Sequence, residues 1–199
     1  MTTYTVSGRA HWDTVARTAE LNIGGDSEGT VVREIGGVAA RLACGIAGCT
    51  PEPVRLLAGV GDDQAGRDLR GALASCGVDL VGVAVPVTGN YVAVEGPDGV
   101  HVAVSDPACP AHPLPTAVEA GPGDVLVVDT SLPEADLRQV RAIAEQAGAV
   151  VSVVCTRTAL AARLRVFAGM DRATVHVNLA EACAVLGTPV GSAAEAVGR

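Results

Sequence analysis

From Asp124 onward, apolar runs and mixed segments alternate in a regular cycle. Asp-Val-Leu-Val-Val-Asp at 124–129 is a continuous apolar run closed by acids, which predicts a strand buried on both faces. A helical pattern follows over Pro133–Gln146, then a second buried strand at Ala149–Val154, a helix over Thr158–Phe167, a strand at Thr174–Val177 and a helix over Leu179–Leu186. Strands alternating with helices at this spacing predict a parallel sheet built from right-handed βαβ units.

The earlier part of the chain is less regular. Thr3–Ser7 reads as a short opening strand that runs into Gly8 and the polar cluster Arg9–Asp13. Residues 14–35 alternate polar and apolar positions around Gly24-Gly25 and Glu28-Gly29, which predicts one or two short antiparallel strands. Gly36-Gly37 opens an Ala/Leu-rich helical run over Val38–Ala47. Val54–Val60 is the next strand, and Asp62 or Asp63 can cap a helix over Gln64–Ser75 whose apolar positions are Ala65, Leu69, Leu73 and Ala74. Strand-like runs at Val81–Val87, Tyr91–Val94 and Val100–Val104 follow, the last two joined by the turn Gly96-Pro97-Asp98-Gly99. These antiparallel pieces, about 16–35 and 81–105, form a small accessory sheet or lid beside the main sheet in this reading.

Composition narrows the function. At 199 residues and 49% hydrophobic the chain can bury a core of its own, and its length suits one domain or one domain with a small appendage. A net charge of −8 with only 14 basic residues argues against a nucleic-acid polymer or an anionic membrane surface as partner. A small anion bound at a helix N-terminus is still compatible. Aromatic content of 2% removes stacking platforms for single strands. The six cysteines, Cys44, Cys49, Cys76, Cys109, Cys155 and Cys183, lie mostly in apolar runs and read as buried thiols rather than as a zinc site. No basic-then-apolar leader opens the chain and no apolar stretch reaches about 18 residues, so the expected location is the cytoplasm.

Four local patterns bear on chemistry. Gly59-Val60-Gly61-Asp62 has the form of a phosphoryl-transfer signature, yet an acid at the start of a helix satisfies the same N–H groups a phosphate would need, and capping is the stronger reading. Asp13, in His11-Trp12-Asp13 just past the first strand, is placed either to accept two vicinal hydroxyls of a polyol or to cap a turn. Gly36-Gly37 either lets backbone N–H groups approach a ligand or makes a tight turn. Asn178 with Glu181 three residues on is a capping box.

The joint order of these pieces adds information that none carries alone. G-R-A-H-W-D-T-V, G-G-D-S-E-G-T-V, G-G-V-A-A-R-L-A and L-L-A-G-V-G-D-D-Q-A-G-R-D-L followed by G-V-D-L resemble the N-terminal half of the ribokinase (PfkB) family of carbohydrate kinases. T-G-N-Y-V-A-V-E-G-P-D-G-V, V-V-D-T-S-L-P, A-A-R-L and N-L-A-E-A look most like the pseudouridine-kinase branch. The resemblance implies a ribokinase-like (Rossmann-like) α/β fold with a parallel sheet flanked by helices and a small β-sheet lid. It also implies transfer of the γ-phosphoryl of ATP, with Mg²⁺, to a sugar or nucleoside hydroxyl. Carried over by position, Asp13 binds sugar hydroxyls, Gly36 and Gly37 line the sugar pocket, Tyr91 lies in the lid near the base or sugar, and Asn178 and Glu181 match the N-x-x-E that organises Mg²⁺ and phosphate.

Two departures from the family pattern matter. Arg41 stands where the family's G-G-x-x-x-N has its Asn, and a bulky cation there either obstructs the usual sugar pose or recognises an anion. The G-A-G-D segment that carries the general base and the anion hole is not found in these 199 residues. The expectation is therefore a substrate-and-lid portion, inactive alone, that pairs with a complementary C-terminal half or forms a homodimer through the lid. The rival expectation, from a different class, is a non-catalytic sugar- or nucleoside-binding or dimerisation module.

Overall fold

The computed structural model describes residues 1–106, 118–189 and 191–192. Ten strands and four α-helices follow in the order β1 (Tyr4–Ser7), β2 (His11–Arg17), β3 (Thr30–Gly36), α1 (Val38–Ala47), β4 (Val54–Gly61), α2 (Gln64–Ser75), β5 (Val78–Val85), β6 (Asn90–Gly96), β7 (Gly99–Ser105), β8 (Val125–Asp129), α3 (Glu134–Ala147), β9 (Val150–Val154), β10 (Ala173–His176) and α4 (Leu179–Leu186). Six strands form a parallel sheet in the order β10-β9-β8-β1-β4-β5, and four form a smaller sheet in the order β3-β2-β6-β7. The architecture is the expected α/β one, a parallel sheet flanked by helices with a second, smaller sheet.

Side-chain alternation decides which helix covers which face. Val54, Leu56, Ala58 and Val60 of β4 join Ala39, Ala40 and Ala43 of α1 and Leu69 and Leu73 of α2 in one buried cluster. The opposite-facing Leu57, with Leu126, Val128, Val151 and Val153, packs on Leu137, Val140 and Ala144 of α3. The large sheet is thus covered on both sides, which is why its strands read as unbroken apolar runs. Each fully buried leucine, such as Leu56, Leu69 or Leu73, contributes roughly 1.5–3 kcal/mol of burial.

Three sequence expectations need correction. β5 belongs to the large sheet, paired in parallel with β4 from Val54↔Val78 to Gly61↔Val85, so the lid does not begin at 81. The lid's first strand starts at His11, which puts Asp13 inside a strand rather than in a loop after one. Thr158–Phe167 winds as a 3₁₀ helix: its buried Ala161, Leu164 and Phe167 are three residues apart and so align along one face at three residues per turn. The cysteine expectation also holds only in part. Cys155 is buried, Cys44 and Cys183 are half-buried, and Cys49 and Cys76 are exposed because they sit at the surface ends of α1 and α2; Cys109 lies outside the described residues. No helix among the described residues is long and apolar enough to cross a membrane.

Candidate functional site

The two sheets meet over the carboxyl ends of β1, β8 and β9, the edge where open α/β sheets hold ligands. A cavity of about 590 Å³ opens there. Its floor is Asp129 at the end of β8, Ser131 beyond it, and Thr156 and Arg157 beyond β9, while Arg9 comes from the β1–β2 turn. Its roof is the inner face of the small sheet, with His11, Asp13, Val15 and Arg17 on β2, Glu34 on β3, Tyr91 and Glu95 on β6 and Ser105 on β7. Its side is the start of α1, with Gly37, Val38 and Arg41.

Asp13 is the buried acid at the centre of the roof. Its Oδ2 accepts from Arg41 Nη2 at 2.7 Å, and the same nitrogen donates to Glu34 Oε1 at 2.8 Å, while Arg41 Nε donates to the Ile35 carbonyl at 3.1 Å. Arg41 is therefore committed to anchoring Asp13 and the end of β3, and it is not a free receptor for an anion. Asp13 Oδ1 is left without a hydrogen bond, 3.5 Å from His11 Nε2, which also lacks one. Burial lowers the His11 pKa, with Arg9 and Arg41 acting in the same sense against the raising effect of Asp13, so the ring is neutral at neutral pH.

The paired glycines are explained by close approach. A Cβ on Gly36 would overlap Asp13 Oδ1 and lie 2.5 Å from Cγ, so only glycine leaves the carboxylate its place. Gly37 is the N-cap of α1 with φ +90°, and a Cβ there would lie 2.7 Å from the Arg9 carbonyl carbon. On the floor, a Cβ on Gly8 would crowd Asp129, 2.8 Å from its Cγ.

Asp129 itself was visible in the sequence only as an acid closing an apolar strand. It is fully buried; its Oδ1 accepts from the Ser131 backbone N–H at 2.7 Å and from the Ser131 hydroxyl, and its Oδ2 has no partner. Burial raises its pKa, opposed by the Ser131 bonds and by Arg9. The turn after it is held by Arg163, whose Nη1 donates to the carbonyls of Thr130 at 2.9 Å and Leu132 at 2.8 Å. Arg9, Asp129 and Arg157 were missed as site residues; their signal was position, each ending a strand of the large sheet or lying two or three residues beyond its carboxyl end.

Of the expected site residues, the structure brings Asp13, Gly37, Arg41 and Tyr91 to one cavity, with Gly36 behind Asp13. Asn178 and Glu181 do not line it. Asn178 Oδ1 accepts from Glu181 N–H and Glu181 Oε2 from Asn178 N–H, both at 2.9 Å, a complete capping box at the start of α4. Among the described residues no group of three or more His, Cys, Asp or Glu is arranged to hold a metal ion. The Gly59–Asp62 signature resolves into the end of β4 and a turn. Asp63 rather than Asp62 caps α2, because its extended backbone brings Oδ1 to the Gly66 N–H at 2.7 Å, while Asp62 faces solvent near Arg67.

Comparison with known proteins gives the same picture. A carbohydrate kinase from Agrobacterium tumefaciens superposes with a TM-score of 0.76 at 25% identity, over 94% of this chain and 64% of that one. Ribokinase from Cryptococcus neoformans var. grubii serotype A, solved with ADP, gives a TM-score of 0.74 at 22% identity over 100% and 67%. Phosphofructokinase-2 from Escherichia coli gives 0.73 at 18% over 99% and 66%. The chain thus spans about two thirds of the length of these solved relatives. No curated protein gave a significant match. The model of the pfkB family carbohydrate kinases matches residues 1–199, and the chain belongs to that family.

Proposed function

We propose that the chain is the acceptor-binding part of a PfkB-type kinase, holding a sugar or nucleoside in the cavity between its two sheets. Pseudouridine is the nucleoside its motif set favours. One observation carries the reading: Arg9 Nε, His11 Nε2, Asp13 Oδ1 and Asp129 Oδ2 are buried, have no hydrogen-bond partner, and belong to residues around one cavity. An unsatisfied buried polar group costs roughly 1–3 kcal/mol, so a ligand rich in hydroxyls gains by completing these bonds. A hydroxyl donating to Asp13 Oδ1 lies within reach of His11 Nε2, and Tyr91, opposite Asp13 in the β2–β6 pairing, flanks the same ligand.

Family membership implies ATP and Mg²⁺. The residues described do not form a complete site for either. Asn178 and Glu181 are engaged with each other, and a magnesium ion held there would share one carboxylate with waters and nucleotide phosphates. The 199 residues contain no G-A-G-D, so neither the general base nor the anion hole is supplied, and no transfer step is assigned to them. The isolated chain is expected to bind its acceptor and not to phosphorylate it.

Two partners fit this reading. Val31, Val92, Val102 and Val104 are exposed on the small sheet's outer side, a surface a second copy could cover. Val175, Val177 and Leu179 are exposed beside the open edge of β10, where a complementary half would extend the sheet. The free thiols suit a reducing cytoplasm. Calorimetric titration of pseudouridine and a sugar panel tests the proposal: binding abolished in Asp13→Asn supports it, and binding indifferent to that change would sink it. Restored transfer on adding a polypeptide bearing G-A-G-D separates a split kinase from a non-catalytic binding module.

A further inference from the structure

An acceptor in the cavity reaches only half of the Asp13 carboxylate. Oδ2 already accepts from Arg41 Nη2 at 2.7 Å, and Oδ1 alone lacks a partner. Arg41 is fixed there by two further bonds, from Nη2 to Glu34 Oε1 at 2.8 Å and from Nε to the Ile35 carbonyl at 3.1 Å. A ligand hydroxyl that displaced it from Oδ2 would put a neutral donor in place of a cation and lose the ionic part of the bond. Oδ1, by contrast, faces His11 Nε2 across 3.5 Å, and that nitrogen is also buried without a hydrogen bond.

One hydroxyl completes both of these atoms. Set at hydrogen-bond distance from each, its oxygen accepts from the Nε2–H of the neutral ring while its own proton goes to Oδ1. A neighbouring hydroxyl then finds no vacant oxygen on Asp13. A carboxylate with both oxygens open grips a vicinal pair, whereas one with an oxygen already taken reads a single position. Resting on the reading of the cavity as an acceptor site, we propose that Asp13 recognises one hydroxyl of the acceptor, and that Arg41 sets this number by occupying the other carboxylate oxygen. Arg41 is a positioning residue in this scheme, acting on specificity through Asp13. The site accepts a sugar or nucleoside whose adjoining hydroxyl is missing or turned away as readily as one with the full vicinal pair.

The test is calorimetric titration of the 199-residue chain with pseudouridine and its 2′-deoxy and 3′-deoxy forms, and with ribose and the matching deoxyriboses. Removing one of the two neighbouring hydroxyls is expected to cost roughly 10–100-fold in affinity, the worth of a hydrogen bond to a charged group, and removing the other less than about threefold. Arg41→Asn, which withdraws the guanidinium from Oδ2, should let Asp13 take both hydroxyls, so that either deletion then costs about tenfold or more. Arg41→Lys keeps a cation for Oδ2 and should keep the one-sided pattern of the parent. A merely structural role for Arg41 would weaken every compound alike and leave the ratios between them untouched. Both deletions costing the parent chain about tenfold or more, or an unchanged pattern in Arg41→Asn, overturns this inference alone. The first of these outcomes is read on the parent, so the inference stays open to refutation even where Arg41→Asn does not fold. Failure of every compound to bind overturns the reading of the cavity as well.

Discussion

Gly36→Ala is the most direct probe of how the site is built. The added methyl would sit 2.5 Å from Asp13 Cγ and closer still to Oδ1. Neither side can retreat freely. Gly36 is paired with His11 in the β2–β3 ladder, and Asp13 is tied through Oδ2 to Arg41 at 2.7 Å. The carboxylate must therefore swing away, straining the Arg41 link, and overpacking of this kind costs roughly 1–3 kcal/mol. For a chain of this size that lowers Tm by roughly 2–12 °C.

A control removes the ambiguity of any glycine replacement. Gly45, inside α1, has nothing within 4 Å of an added Cβ. Gly45→Ala should stabilise by roughly 0.5–1 kcal/mol through backbone entropy alone. Urea denaturation of both variants measures the gap, and titration of the acceptor measures the function. Gly36→Ala should also weaken acceptor binding at least tenfold, about 1.4 kcal/mol, while Gly45→Ala leaves it unchanged. A Gly36→Ala protein as stable as the parent, with undiminished binding, would refute the claim that this glycine exists to seat Asp13.

Further outcomes follow from the same geometry. Asp63→Ala loses the α2 cap and the Thr88 bonds at 2.8 and 2.7 Å, and should destabilise by about 2 kcal/mol in urea titration. Those bonds depress the Asp63 pKa, so its contribution is fully present above the ordinary carboxylate range and lost as pH falls through the folded value; the parent's stability advantage over Asp63→Ala should close in acid. Asp129 has the opposite sign. Its raised pKa makes the folded state weaker as pH rises through that value, so Asp129→Asn should stabilise the ligand-free protein at neutral pH by about 1 kcal/mol, the gain fading on acidification. Val102→Asp, in the exposed valine surface, should shift sedimentation toward monomer and remove any concentration dependence of Tm if two copies meet there.

What the sequence showed depended on whether the signal was local. α2 and α4 begin and end where expected because Asp63 and Asn178, which cap them, lie next to the helices they start. β5 was misassigned because a Val/Gly alternation looks the same in either sheet, and only its pairing with β4 places it. Arg41 was visible as an odd residue in a glycine-led motif. Its partner, Asp13, lies 28 residues away, and no pattern in the chain announces the bond. Arg9 and Arg157 join one cavity only because β1, β8 and β9 are neighbours in the sheet.

The stretch that first suggested catalysis has a different task, visible in what it touches. Gly61 N–H donates to Thr88 Oγ1 at 3.1 Å, Asp63 accepts from both the backbone and the hydroxyl of Thr88, and the Trp12 indole donates to the Ala65 carbonyl at 2.8 Å. Thr88 is fully buried in the link between β5 and β6, and Trp12 lies on β2. The end of β4 and the start of α2 therefore tie the large sheet to the small one near two of the points where the chain crosses between them, β1 to β2 and β5 to β6. Since the cavity's floor belongs to one sheet and Asp13 to the other, this joint is one of the links that hold floor and roof together. The carboxylate at position 63 thus has a structural task, capping α2 and pinning Thr88 in the link to the small sheet that roofs the cavity.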